Sequence, residues 1–266
     1  MGRWTIGRKT RWIAGLAVGL AGLIWLDGLG LMVTICTRTR SEQCALNQRN
    51  VVLAILGYLQ SKGSFPRGTY PTPALAPEHR VSWYYEIACY LDYGGLTEAI
   101  DPTGPWSSPA NHTIATMRIS VVTCPEVPRP VAGAHVPTSY IGIAGLGVDA
   151  PTLPVSSPRA GIFGYDRQTT PADIRDGMAF TMMLAESRRA CDSWLAGGPA
   201  TVRGLDTKEM PYIGSGRQFG GLHRRSGANV ALADGSVRFI PDTIHPRVFE
   251  ALSTIAGGET IPREPW

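Results

Sequence analysis

His223 and Asp234 stand in the segment GGLHRRSGANVALADGSVRFI and could form an acid–base or metal-ligating pair. Asp234, however, precedes Gly235 between two β-prone runs, where an Asp-Gly dipeptide turns a chain, so a structural role explains it. A lone loop histidine more often makes a backbone hydrogen bond than a catalytic contact. Asp173, Asp176 and Glu186 flank IRDGMAFTMMLAES. There Asp176-Gly177 reads as a turn, Met182, Met183 and Leu184 as part of a core strand or helix, and Glu186 as a buried, paired carboxylate. No alternating Asp/Asn calcium loop occurs. The five cysteines, Cys36, Cys44, Cys89, Cys124 and Cys191, form no C-x-x-C pair, and the histidines at 79, 112, 135, 223 and 245 lack ligand spacing. A structural zinc site is therefore not expected, and neither metal nor cofactor is. Nucleophile-elbow, zinc-protease and phosphate-loop patterns are missing too, so the chain is expected not to be an enzyme.

Trp83, Tyr84, Tyr85, Tyr90, Tyr93 and Trp106 crowd a short stretch. Such a cluster could face a sugar or peptide, but aromatic groups of this size more often fill a core, and core is the reading adopted. An oxidising compartment would let the cysteines pair, in more than one arrangement, with one thiol left over.

These residues need a frame. With 44% hydrophobic and 17% charged residues the chain can bury a large core, and its 31 Gly and 21 Pro point to long, turn-rich loops. Arg3, Arg8, Lys9 and Arg11 precede an apolar stretch from Ile13 to Ile35, interrupted only by Asp27. As a helix this stretch would span about 34 Å, enough to cross a bilayer. It is longer than a signal-peptide core and no small-residue cleavage site follows, so a retained anchor is expected. The basic tail places the N-terminus in the cytoplasm and the rest outside the cytoplasmic membrane. Asp27 reads as a tolerated polar residue in the span. Beyond it the charge is nearly balanced, which argues against nucleic acid as a partner. The expected organisation is a tail at 1–12, a transmembrane helix at 13–35 and an extracytoplasmic domain at 36–266, with the lipid bilayer as first partner.

After the span, Cys44, Val51, Val52, Ile55, Leu56 and Leu59 recur at helical spacing, which extends one helix from about Trp12 to Gln60, ended by Gly63 and Pro66. Trp83, Ile87, Tyr90 and Leu91 predict a second short helix. MRISVVTC, TSYIGIAGLG and AGIFGYD each read as a strand. Asn229 to Ile240 reads as a hairpin on a two-residue type I′ turn at Asp234-Gly235. A closing helix follows from Pro246 to about Thr254, with Val248, Phe249 and Leu252 on one face and Gly257-Gly258 to stop it.

In order, QCALNQRNVVLAILGYLQSKGSFPRG, SWYYEIACYL, PWSSPANHTIA, VTCPE, TSYIGIAG, IRDGMAFTMMLAES, GGLHRRSGANVALADGSVRFI and ALSTIAGGE resemble the blocks of the DUF1559 family. These are pseudopilin-like proteins, also called the prepilin-type H-X9-DG family and abundant in planctomycete-like bacteria. The resemblance runs from Gln43 to Glu259. It implies an α+β, type IV pilin-like fold: a long N-terminal membrane helix packed on an antiparallel sheet with long loops. It also implies a non-catalytic envelope component linked to type II secretion or pilus-like machinery, with other such subunits as partners. The motif residues are then His223, Gly227, Asn229, Asp234 and Gly235, and Cys44 and Cys124, which recur in family-like blocks, are the candidate disulfide. Two departures stand out. Gly7 is followed by Arg8 and no Glu precedes Glu42, so the prepilin processing signal is missing; and ten residues, not nine, separate His223 from Asp234. The alternative reading is an extracytoplasmic solute- or glycan-binding module.

Overall fold

Residues 40–62 form a helix, α1, whose apolar positions fall on one side: Cys44, Val51, Val52, Ala54 and Ile55 are buried while Leu46 and Leu53 are exposed. Gly63 stops it in the left-handed conformation, its amide bonded to the Leu59 carbonyl, as the sequence leads one to expect. The computed structural model describes residues 40–187, 189, 192–221, 223, 226–259 and 261. The expected tail and span, with Ile13, Asp27 and Ile35, lie outside them, as do Cys36 and Cys191. Among the described residues no helix is long and apolar enough to cross a membrane. The chain divides into two compact units, Met1–Glu42 and Gln43–Trp266, and the architecture below is that of the second.

The fold is α+β around a five-stranded sheet in the order β3-β1-β2-β4-β5. Its strands are β1 (Tyr140–Leu146), β2 (Met182–Glu186), β3 (Val202–Leu205), β4 (Gly227–Leu232) and β5 (Val237–Pro241). The sheet is mixed rather than antiparallel. β1–β2, β2–β4 and β4–β5 are antiparallel, but residues 187–201 carry the chain from β2 past β1, so β3 joins the far edge of β1 in parallel, pairing Gly142 with Val202.

Alternation along the strands, interrupted by a register shift in β2 between Met182 and Leu184, builds two cores. Tyr140, Ala144, Met183 and Ala231 face a layer made by α1 and the aromatic segment, with Trp83, Tyr84 and Phe163 inside it. Ile141, Ile143, Ala185, Val230 and Ile240 face Tyr212, Phe219 and Phe249. Phe249 and Leu252 come from the closing helix (Pro246–Ser253), whose N-cap His245 accepts the Arg247 amide. The helix ends at an extended Thr254 and not at the expected glycines; Gly257 and Gly258 instead donate their amides to Asp176.

Three expected elements differ. The segment after Trp83 breaks into Tyr84–Ile87, a 3-10 turn at Ala88–Leu91 and Gly94–Ala99, because Asp92 is left-handed and two glycines follow. MRISVVTC holds only a 3-10 turn, Ser120–Val122. AGIFGYD touches β1 through Gly161 and Phe163 amides without forming a strand. There the Arg167 guanidinium, drawn down to about 10 by burial, fills a nest of carbonyls from Ala144, Ala150, Leu153, Gly161 and Phe163. The hairpin is present, but only Gly235 has positive φ, at 93°, and the Leu232 amide reaches the Ser236 carbonyl. That is a type I turn closed by a left-handed glycine, not type I′. A Cβ at 235 would also stand 2.9 Å from Leu56 of α1, so helix packing adds a second reason for glycine.

Candidate functional site: a buried cysteine, histidine and glutamate cluster

Glu186 ends β2 and its side chain is 3% exposed. A buried carboxylate must be hydrogen-bonded to be tolerated, and here three hydrogen bonds serve it. The Asn229 amide donates to Oε2 at 2.7 Å, Asn229 Nδ2 to Oε1 at 3.0 Å, and the Cys44 thiol to Oε1 at 2.8 Å. His223 Nε2 lies 3.7 Å from Oε1. Antiparallel pairing of β2 with β4 sets Asn229 beside Glu186, and α1 brings Cys44 onto the same spot. Tyr140 of β1 closes the far side, its hydroxyl donating to the Cys44 carbonyl at 2.8 Å and lying 3.3 Å from the Cys44 sulfur. Gly221 leaves the room required: a Cβ there would stand 2.8 Å from Glu186 Oε2 and 3.1 Å from the His223 ring.

Cys124 completes the cluster, its sulfur 3.8 Å from His223 Nε2. The sulfurs of Cys44 and Cys124 and a His223 ring nitrogen all lie within 4.8 Å of one another. Both cysteines are free thiols, brought into one cluster by the fold. His223 Nδ1 is buried with no partner among the described residues.

The electrostatics follow from this crowding. The bond from Cys44 and the proximity of His223 draw the Cys124 thiol down to about 6 against the effect of burial. Cys124 first and Glu186 next push His223 up to about 10. Burial raises the Glu186 carboxyl, yet the nearby His223 and the bonds from Asn229 and Cys44 outweigh that and hold it below its usual range. The Cys44 thiol goes strongly up, through its contact with Cys124, its burial and the Glu186 charge. These directions favour charge on Cys124, His223 and Glu186 and a neutral thiol on Cys44.

Of the residues singled out in the sequence, His223, Asn229, Cys44, Cys124 and Glu186 meet here. Asp234 does not join them: its carboxylate accepts the Ser236 amide and hydroxyl at the hairpin turn. The His223–Asp234 pair is thus not a site. Gly227 opens β4 at φ 154°, facing Pro241 across the hairpin. Asp173 caps a 3-10 turn with Thr170. Trp83, Tyr84 and Trp106 are buried, as a core reading requires. Tyr140 carried no sequence signal beyond its place in a strand.

A family model described as "Protein of unknown function (DUF1559)" matches residues 38–204. No curated protein matches the chain, and no solved structure does.

Proposed function

The chain belongs to the DUF1559 family of proteins of unknown function, and from that premise we propose that it is a membrane-anchored, pseudopilin-like structural component of the cell envelope. In this reading Ile13–Ile35 holds the chain in the cytoplasmic membrane and the sheet domain lies outside it. The partners are similar subunits or secretion machinery, and no catalysis is involved.

The observation that carries the reading is the seat of α1, which lays Val51, Val52 and Ile55 into the core on one face of the sheet directly after the apolar N-terminal stretch. A helix that is apolar all round and then amphipathic suits a rod half in lipid and half against a domain. Trp83 stacks on Tyr84 at 3.8 Å between centroids and tilts against Phe163, inside that core. The rings on which a solute-binding reading depends are thereby used for packing. Burial also supports a non-catalytic role for the cysteine–histidine pair, because Cys124 is 3% exposed and Cys44 fully buried, so a substrate has no path to either sulfur.

The test is fractionation followed by intact-mass analysis of the full chain. Expected is a protein released from membranes by detergent but not by high salt, with residues 1–12 retained. Release by salt alone, or a mature chain starting at Arg8 with a methylated amine, would overturn the uncleaved anchor.

A further inference from the structure

We propose that Cys44, Cys124, His223 and Glu186 are a structural site for one borderline-soft divalent metal ion of the zinc type. The inference stands apart from the membrane reading and rests on the cluster alone. Two sulfurs, one imidazole nitrogen and one carboxylate oxygen are all donors that zinc takes, and four of them suffice for a closed tetrahedral site in which the carboxylate stands where a second histidine or a third cysteine is commoner. Hard cations such as magnesium and calcium call for oxygen donors instead.

The spacings agree with this assignment. Zinc bonds of about 2.0–2.3 Å at tetrahedral angles separate neighbouring ligand atoms by roughly 3.3–3.8 Å. Cys124 Sγ to His223 Nε2 is 3.8 Å and His223 Nε2 to Glu186 Oε1 is 3.7 Å. The second of these is too long for a hydrogen bond. Among the described residues Nε2 therefore has only a long contact to sulfur, and Nδ1 has no partner. An ion at Nε2 gives that nitrogen a ligand bond in place of the long contact. Cys44 Sγ sits closer, 2.8 Å from Oε1, because a proton bridges them; ligation removes that proton and lets the pair open. The outer shell is in place as well: Asn229 holds Glu186 through two bonds, and Tyr140 holds Cys44.

Protons and charge balance. One divalent ion enters, and the Cys44 thiol proton and the proton shared by Cys124 and His223 leave. Both sulfurs bind as thiolates and the imidazole as the neutral base, so the total charge of the buried group is unchanged and no redox step occurs. The ion would fasten α1, the 120s loop, β2 and the loop before β4 at one point.

The test uses the full chain in detergent, reduced, stripped with a chelator, desalted without oxygen and titrated with Co2+ and then Zn2+. Expected are one Co2+ per chain, visible bands of tetrahedral cobalt with thiolate-to-cobalt charge transfer, bleaching by one Zn2+, and about two protons released per ion to a weakly buffered indicator. Cys124→Ser should lower affinity by more than the roughly 10–100-fold that loss of an outer-shell partner costs. Cys89→Ser, at an exposed thiol, should change nothing. Lack of a charge-transfer band in the reduced wild-type chain overturns the proposal without recourse to any variant. So do bands that persist unchanged in Cys124→Ser, which would place the ion on other cysteines. A Cys44–Cys124 disulfide in the peptide map, with no cobalt uptake after reduction, would show a redox bridge instead and equally overturn it.

Discussion

At the scale of single residues, burial decides which ionisable groups matter. Glu86 lies half-buried beside Tyr58, Lys62 and Arg67. Burial lifts its carboxyl above the usual range, and the Tyr58 hydroxyl, the Arg67 amide and the nearby cations only partly offset this. A carboxyl raised in the folded state binds its proton more tightly there than in the unfolded chain, so it favours folding at low pH. That contribution is lost as pH rises from the unfolded value, near 4.5, through the raised folded one. Glu86→Gln keeps an acceptor for the Arg67 amide and has no charge to bury. Its stability relative to the wild type is expected to climb as pH goes from 4 to 7, read as the gap between urea midpoints; a constant gap would refute this. Glu186 was legible as a buried, paired carboxylate because it ends an apolar run. Its partners were not, since Cys44 lies 142 positions away and Cys124 and His223 lie 99 apart. Spacing rules for metal ligands detect neighbours along the chain, and this cluster is made by tertiary packing.

At the scale of elements, periodicity held where it was strong and failed where glycine and proline broke it. α1, the β4–β5 hairpin and the closing helix lie where their patterns put them. MRISVVTC and AGIFGYD, by contrast, have the composition of strands but do not join the sheet, and the far side of β1, which AGIFGYD touches, is already taken by β3. β3 itself was missed, since VRGL is too short and polar to alternate. What holds the non-strand segment in place is Arg167, whose two terminal nitrogens serve five carbonyls. Replacing it by Met removes those bonds; the Ala144 and Ala150 carbonyls keep the Gly161 and Leu153 amides as donors, but the others lose their Arg167 donor, and recovered charge desolvation offsets only part of the loss. A drop on the order of 3 kcal/mol is expected in chemical denaturation. Arg167→Lys should fall nearly as far, because three donors on one nitrogen cannot span the nest. A lysine variant as stable as the wild type would show that charge, not the fork, is what the nest needs.

At the scale of the whole molecule, the second compact unit is a sheet covered on both faces, and its centre should be its most protected part. β1, β2 and β4 are paired on both sides, whereas β3 and β5 are edges. Native-state hydrogen exchange is accordingly expected to be slowest in Ile141–Ile143, Met183–Ala185 and Val230–Ala231, and faster in Val202–Leu205 and Val237–Phe239. Equal protection of edge and centre would mean that the sheet opens only as one unit. The α+β class came with the resemblance to the family's blocks, and the helical and strand-like patterns agreed with it. Strand order was not legible, because nothing local marks where a chain passes over a strand instead of turning beside it.

The cluster around Glu186 draws on residues from position 44 to position 229. A chain that emerges from its N-terminus presents Cys44 and then Cys124 well before His223 and Asn229 exist to join them. During that interval the two thiols can meet each other without the carboxylate, the imidazole or their shielding strands. The order of synthesis thus leaves an interval in which Cys44 and Cys124 are both made while the histidine and asparagine that complete their folded surroundings are not.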